Sequence, residues 1–327
     1  MNRLTLNIRV TGCPNRCFHC HSRGGSGARA LMEIDTIKRV ASCFREALHA
    51  DVSVLPLDEQ TLYPDFIELI TALEAEGFLR KDPSKFLVTN CWGLKHIPGL
   101  VDEVKKHYST IVPTLFGMRE THDEHADRKG SYLDILEATK ACIEKGIGVS
   151  WHLQWSKRNT SEINGLHELG ESLGVGKIFI SAEYFFAGYF PNVADEYLPV
   201  LDELSQIKHE VYEYQMGYLK TAAQFLDGIR NGAVFKVNKV PLDELYIDEK
   251  LNVYPFLHRS EPFCLGNLEV SPDRIIAMLK TESGLPEAIK KRREQDFSEL
   301  VLMYANTSSN QLYTPQALFD RLCSKVL

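Results

Sequence analysis

The sequence predicts an α/β protein built from parallel strands, each followed by a helix. Three observations carry this expectation. Strand-type and helix-type stretches alternate through six units between Leu4 and Ser181, the connections between them are short, and glycine closes several of the helices. Such regular alternation is the mark of a parallel sheet wound by helices.

Leu4, Leu6, Ile8 and Val10 alternate with polar residues, the period of a half-buried strand. Ile34–Leu48 sets Ile34, Ile37, Val40, Phe44 and Leu48 on one helical face. Val52–Leu55 is a short buried strand. Leu62–Glu76 is the next helix, with Phe66, Leu69, Ile70 and Leu73 in register and Gly77 as its stop. The third strand, Phe86–Val88, runs into Thr89-Asn90-Cys91, and Ile97–His107 is helical. Thr110–Leu115 is the fourth strand, Tyr132–Lys145 a helix closed by Gly146, and Gly148–Trp155 the fifth strand. Ser161–Leu173, closed by Gly174, leads to the sixth strand, Lys177–Ser181. A curved six-unit barrel and a doubly wound open sheet fit this pattern equally well.

After Ala182 the pattern changes. The aromatic run Tyr184–Phe190 reads as core packing and leads to a long helix from Glu196 to about Arg230. Short strands follow at Val234–Val237, Glu244–Ile247 and Val253–Pro255. Three small helices close the chain, with Ser271-Pro272 and Thr314-Pro315 as start signals. A boundary near residue 190 separates a core, 1–190, from a C-terminal α+β cap, 191–327.

The chain has 327 residues, 44% apolar and 25% charged, with a net charge of −7. Charges of both signs are interleaved, which disfavours nucleic acid as a partner, since that needs a basic face. No apolar run reaches the length of a membrane span, and the first strand begins within three residues, leaving no signal-peptide segment. A cytoplasmic protein is expected, where thiols stay reduced and clustered cysteines read as metal-binding or catalytic.

Three of the eight cysteines, Cys13, Cys17 and Cys20, fall directly after the first strand. A four-iron cluster has four ligand positions, so three thiolates leave one iron open to another molecule. Zinc is the competing occupant, with His19 or His21 as its fourth ligand. Local chemistry leaves both readings standing.

The Cys13-x-x-x-Cys17-x-x-Cys20 spacing at the end of a first strand resembles the signature of the radical S-adenosylmethionine (radical SAM) superfamily, over at least residues 3–190. The resemblance implies a partial (β/α)6 TIM-like barrel with a 4Fe-4S cluster held by the three cysteines. It also implies S-adenosylmethionine on the open iron and reductive cleavage to a 5′-deoxyadenosyl radical that abstracts a substrate hydrogen. The stretch Pro56–Phe66 is similar to the family's Gly-Gly-Glu-Pro segment, with Leu57 and Asp58 in place of the glycines, so Asp58 or Glu59 is expected at the cofactor's ammonium. Thr89-Asn90-Cys91 resembles the family's Thr-Asn-Gly, and Thr114, Gln154 and Ser156 occupy later strand ends where polar side chains meet the cofactor. Gly117 and Asn159 lie beside them. Residues 246–270 resemble a remnant of the SPASM/twitch extension. The C-terminal half has only Cys264 and Cys323, too few for an auxiliary cluster.

Cys43, Cys142 and Cys323 read as buried core thiols. Cys91 and Cys264 lie in loops, where a thiol could return a hydrogen atom to a substrate radical. His122-Asp-Glu-His125 reads as a polar loop, with a second metal site as the sharper alternative. The expected substrate is a peptide side chain or a small molecule, and the electron donor a flavodoxin- or ferredoxin-type protein. The contrasting expectation is a non-enzymatic iron–sulfur or zinc electron-transfer module that uses the same cysteine loop.

Overall fold

A computed structural model describes residues 2–17, 20, 31–79, 86–182, 198–212, 217, 219–237, 240, 242–255 and 261–323. His19, His21, the aromatic run Tyr184–Phe190 and Phe256 lie outside the described residues. In chain order the elements are β1 (Arg3–Arg9), α1 (Ile34–Leu48), β2 (Asp51–Leu57), α2 (Phe66–Ala75), β3 (Phe86–Val88), α3 (Trp92–His96) and α4 (Leu100–His107). Next come β4 (Thr110–Val112), β5 (Thr114–Leu115), α5 (Arg119–His125), α6 (Ser131–Glu144), β6 (Gly148–Trp155), α7 (Thr160–Leu173) and β7 (Lys177–Ala182). The later part has α8 (Leu201–Leu204), β8 (Lys220–Thr221), α9 (Ala222–Arg230), β9 (Glu244–Ile247), β10 (Asn252–Pro255) and β11 (Gly266–Asn267). It ends with α10 (Pro272–Thr281), α11 (Glu287–Glu294), α12 (Phe297–Tyr304), β12 (Leu312–Tyr313) and α13 (Pro315–Cys323).

The α/β class holds, with parallel strands and intervening helices arranged in more than one sheet among the described residues. All six expected strands are present, the fourth interrupted at Pro113. Proline has no N–H to give the ladder, although its carbonyl still accepts from His152 N at 3.0 Å.

The chain divides into two compact units, neither continuous in sequence. The first comprises Met1–Arg16, Cys20–Lys85 and Lys239–Glu294. Its five-stranded sheet runs β11-β10-β9-β1-β2, with β1 parallel to both β2 and β9, and with β9, β10 and β11 antiparallel. Leu4, Leu6 and Ile8 are buried along β1, between β9 and β2. The Asn7 amide reinforces the β1–β9 pairing by donating to Glu244 Oε1 at 3.1 Å and to the Leu245 carbonyl at 3.3 Å.

The second unit comprises Cys17–His19, Phe86–Asn238 and Gln295–Leu327. Its parallel sheet has the order β3-β4-β6-β5, with β7 also on β6. Along β6, Trp151, Leu153 and Trp155 are fully buried. The Trp151 indole donates to Thr139 on α6 at 3.0 Å and the Trp155 indole to Thr160 on α7 at 2.9 Å. A Cβ on Gly170 would stand 2.9 Å from the Trp151 ring, so glycine lets α7 approach the strand. The opposite face of β6 carries Ser150, His152 and Gln154. Farther along, Phe225, Phe297, Leu300 and Phe319 form a separate apolar cluster around α9, α12 and α13.

Several local expectations give way. The long helix from Glu196 to Arg230 is two helices among the described residues, α8 and α9, and β8 precedes the second. Thr221 and Gln224 form a capping box that starts α9 afresh, and Val211 bridges Ile180 on β7 instead of continuing a helix. Val234–Val237 is irregular; Phe235 leaves the backbone to meet Phe225 edge-on at 4.9 Å. The helix expected around Ile97–His107 is present as α4 but starts at Leu100, after Gly99 at φ +78°, and a separate short helix, α3, precedes it. Among the described residues, four C-terminal helices stand where three were expected. The polar loop at His122–His125 is a helix, α5.

Candidate active site

Cys13, Cys17 and Cys20 lie in the segment leaving β1, each half-buried and none in a disulfide. Among the described residues, no three His, Cys, Asp or Glu side chains are gathered as a metal-ligand set. The donor chemistry nonetheless fits an iron–sulfur cluster: three reduced, partly accessible thiols in one short segment. The zinc alternative depends on His19 or His21, which are outside the described residues.

In the first unit, the loop after β2 is tied to the cysteine segment by Glu59 N, which donates to the Gly12 carbonyl at 3.3 Å. Asp58 takes φ +67°, the left-handed conformation in which glycine is at home. Its carboxylate, shielded from solvent, pairs with Arg9 Nε at 2.7 Å, and Arg9 also reaches Glu249 at 3.3 Å. Arg9 therefore fastens the loop after β2 to the turn between β9 and β10. Glu59 is buried and accepts from the Thr61 hydroxyl. Cys264 is half-buried, donates to the Gly266 carbonyl at 3.7 Å, and has its pKa pushed up chiefly by burial. It is a protonated thiol beside β11.

In the second unit, Thr89 is buried and its hydroxyl accepts from Cys91 N at 2.9 Å, while Asn90 Oδ1 accepts from Trp92 N at 2.9 Å. These two side chains turn the chain from β3 into α3. Cys91 has φ +69° and is fully buried. Asp58 and Cys91, both standing where the resembled motifs have glycine, thus both adopt a glycine-type backbone.

The ends of β5 and β6 are held by Asn159. Its amide donates to the Phe116 carbonyl at 2.9 Å and the Gln154 carbonyl at 2.7 Å, and its Oδ1 accepts from Ser156 N at 2.8 Å. Asn159 is thereby fully committed to the scaffold. Gly117, at φ +148°, sits where a Cβ would be 2.6 Å from Glu162 Oε2 and Thr121 Cβ. Ser156 and Gln154 are buried at the same strand end.

His122 Nδ1 accepts from Phe116 N at 3.2 Å, so Nε2 carries the proton and donates to Ser131 Oγ at 3.2 Å. Burial lowers its pKa to about 4. Asp123 accepts from Gly130 N and Tyr132 N and so secures the start of α6, while His125 stacks on Phe116 at 4.0 Å. Each of these side chains has a structural duty.

Residue-by-residue reading missed His152. One ring nitrogen meets Thr114 Oγ1 at 3.3 Å, the other meets Ser181 Oγ, and the ring stacks on Phe179 at 4.7 Å. Burial lowers its pKa to about 4, so the imidazole is neutral near pH 7. The signal was present in the alternation Ser150, His152, Gln154 against Trp151, Leu153, Trp155. A strand buried on both faces does not carry a row of polar residues unless that face lines a cavity or site.

Comparison with known proteins bears on this arrangement. The family model of the radical SAM superfamily matches residues 7–169. A probable GTP 3′,8-cyclase of Saccharolobus solfataricus is 26% identical over 179 residues, covering 54% of this chain and 55% of that protein. The chain thus matches about half the length of that curated relative. Streptococcus suis SuiB bound to S-adenosylmethionine superposes with TM-score 0.59 at 14% identity, over 98% of this chain and 70% of that one. Native anSMEcpe with bound AdoMet and the Kp18Cys peptide gives TM-score 0.59 at 10% identity, over 99% of this chain and 98% of that one. At such identities the likeness is one of fold.

Proposed function

Taking residues 7–169 as a radical SAM domain, we propose that this chain is a radical SAM enzyme with a single 4Fe-4S cluster, acting on a peptide side chain or a small molecule. The observation that carries the reading is the Cys13-x-x-x-Cys17-x-x-Cys20 segment at the end of β1, inside the matched residues. Cys13, Cys17 and Cys20 would hold the cluster. With S-adenosylmethionine bound there, one electron from the reduced cluster would yield methionine and a 5′-deoxyadenosyl radical able to take a substrate hydrogen.

The chain's own residues supply position. Asp58 and Glu59 offer carboxylates for the cofactor's ammonium, and Arg9 fixes Asp58. Thr89 and Asn90 shape the turn after β3. Thr114, Gln154 and Ser156 present polar groups at later strand ends, and Asn159 holds those ends in register. Cys91 and Cys264 are the candidate thiols for hydrogen return; Cys264 is half-buried and the more accessible, while Cys91 is fully buried. With only Cys264 and Cys323 in the C-terminal half, one cluster is favoured, consistent with a SPASM/twitch remnant. A flavodoxin- or ferredoxin-type protein is the fitting electron donor. A peptide substrate is supported by fold neighbours solved with peptides, SuiB with its precursor peptide SuiA and anSMEcpe with a Cp18Cys peptide. A small-molecule substrate is supported by the GTP 3′,8-cyclase relative.

Anaerobic reconstitution tests the proposal. The protein should turn brown, bind about four irons, and release 5′-deoxyadenosine with dithionite and S-adenosylmethionine. Replacing Cys13, Cys17 and Cys20 together by alanine should remove colour and cleavage. A colourless zinc protein, or a cluster indifferent to S-adenosylmethionine, would overturn it.

A further inference from the structure

A cavity of about 800 Å³ opens in the second unit between β7 and the segment 208–212. That volume lies within the range of small-molecule sites. One wall is the polar face of the sheet, with His152, Phe179 and Ser181; the other carries Lys208, His209 and Tyr212. Lys177 lines the cavity at the start of β7, with its ammonium 6.0 Å from the Phe179 ring centroid.

The second wall is anchored. Asn164 on α7 donates to the Gln206 carbonyl at 2.8 Å and accepts from Lys208 N at 2.9 Å. His167 and His209 stack with ring centroids 3.5 Å apart, and Val211 bridges Ile180. Three independent contacts thus hold 208–212 beside β7.

The chemistry of the lining is asymmetric. Among the described residues, neither the Lys177 nor the Lys208 ammonium has an ion-pair partner, and Glu210 is the only carboxylate in the lining. Tyr212 is 56% exposed, leaving its ring available as a stacking surface. The imidazole of His152 bridges two hydroxyls, and a neutral ring has one donor and one acceptor nitrogen. It therefore receives one hydroxyl proton and donates to the other hydroxyl oxygen. Whichever tautomer is present, the second hydroxyl keeps its own proton for another acceptor. Of the two hydroxyls only Ser181 lines the cavity, and it is a free donor in the tautomer whose protonated nitrogen faces it. The site thus offers two ammonium groups, aromatic faces and, in that tautomer, one hydroxyl donor.

We propose that this cavity binds a small molecule bearing a planar ring and an anionic oxygen group, carboxylate or phosphate, with Lys177 and Lys208 on the anion and Tyr212 against the ring. The proposal goes beyond the radical reading and does not depend on it, because binding can be read without iron or S-adenosylmethionine.

The test is calorimetric titration of the full chain, as purified, with guanosine 5′-monophosphate, with indole-3-acetate, and with the uncharged counterparts guanosine and tryptophol. At least one anionic probe should bind at or below about 100 µM, and its counterpart at least roughly tenfold more weakly. The phosphate and carboxylate arms identify which anion the site prefers. Lys177→Met and Lys208→Met, both at exposed positions, should each weaken the anionic probe by roughly tenfold while thermal melts stay unchanged. Ser181→Ala should weaken it less. Failure of both anionic probes to bind at or below about 100 µM, or an affinity that either lysine variant leaves unchanged, would overturn the proposal. Failure here leaves cluster assembly and 5′-deoxyadenosine release unaffected, so the two readings fall separately.

Discussion

Asn159 shows how one side chain can hold a strand end. Removing it strands one buried N–H and two buried carbonyls, each unsatisfied group costing about 1–3 kcal/mol. Asn159→Ala should therefore lose roughly 3 kcal/mol or more in urea unfolding. Asn159→Asp should be worse still, because a carboxylate would face the Phe116 and Gln154 carbonyls now 2.9 and 2.7 Å from the amide. His122 carries a pH signature. Its folded pKa is about 4, below the ordinary 6.5, so the neutral form is favoured in the fold while the unfolded chain takes up a proton first. The contribution to stability is full above about pH 6.5 and is lost as pH falls toward 4. Between pH 7 and 5 the loss from this one residue is about 2 kcal/mol, and His122→Gln should flatten that part of the slope. The cysteines of the candidate cluster and the strand-end residues Thr89, Thr114 and Gln154 could be named from the sequence, because motif spacing survives without coordinates. Committed roles such as that of Asn159, and the His152 bridge, could not. Their partners lie on other strands and loops, up to 43 residues away in the case of Asn159 and Phe116.

Elements were legible where the hydrophobic period was long and the stop signals were local. α1 and β6 have the bounds read from the sequence, since Ile37, Phe44, Trp151 and Trp155 make their faces plain. The expected helix from 196 to 230 shows the opposite case: periodicity alone cannot register a new N-cap at Thr221 or the pairing of Val211 with β7. Two positive-φ positions test how turns are specified. Cys91→Gly should relieve about 1 kcal/mol of backbone strain while losing a similar amount of buried thiol contact, leaving stability nearly unchanged. Cys91→Val, β-branched in the same conformation, should destabilise by more than about 2 kcal/mol. Thermal melts of the two variants decide this. Gly117→Ala should also be damaging, since its Cβ has no room before α5.

At the scale of the molecule, the C-terminal hairpin belongs to the same compact unit as the first strand. β9 lies parallel to β1, with Leu6 opposite Leu245 and Ile8 opposite Ile247. Deleting residues 239–294 should leave β1 with an open apolar edge and the first unit unable to fold, seen as loss of soluble protein or of a cooperative melt. Leu245→Asp, a buried charge at the same seam, should destabilise by about 3 kcal/mol or more without any truncation.

The sequence by itself determined the α/β class, the six core strands, the thiol segment after β1 and the hairpin at 244–255, because each rests on local period, spacing or turn chemistry. Only the tertiary structure decided that this hairpin joins β1, that Arg9 ties Asp58 to Glu249, and that His152 links Thr114 to Ser181. Those outcomes depend on which distant backbone groups and charges are brought within hydrogen-bonding reach, and chain order carries no record of that distance.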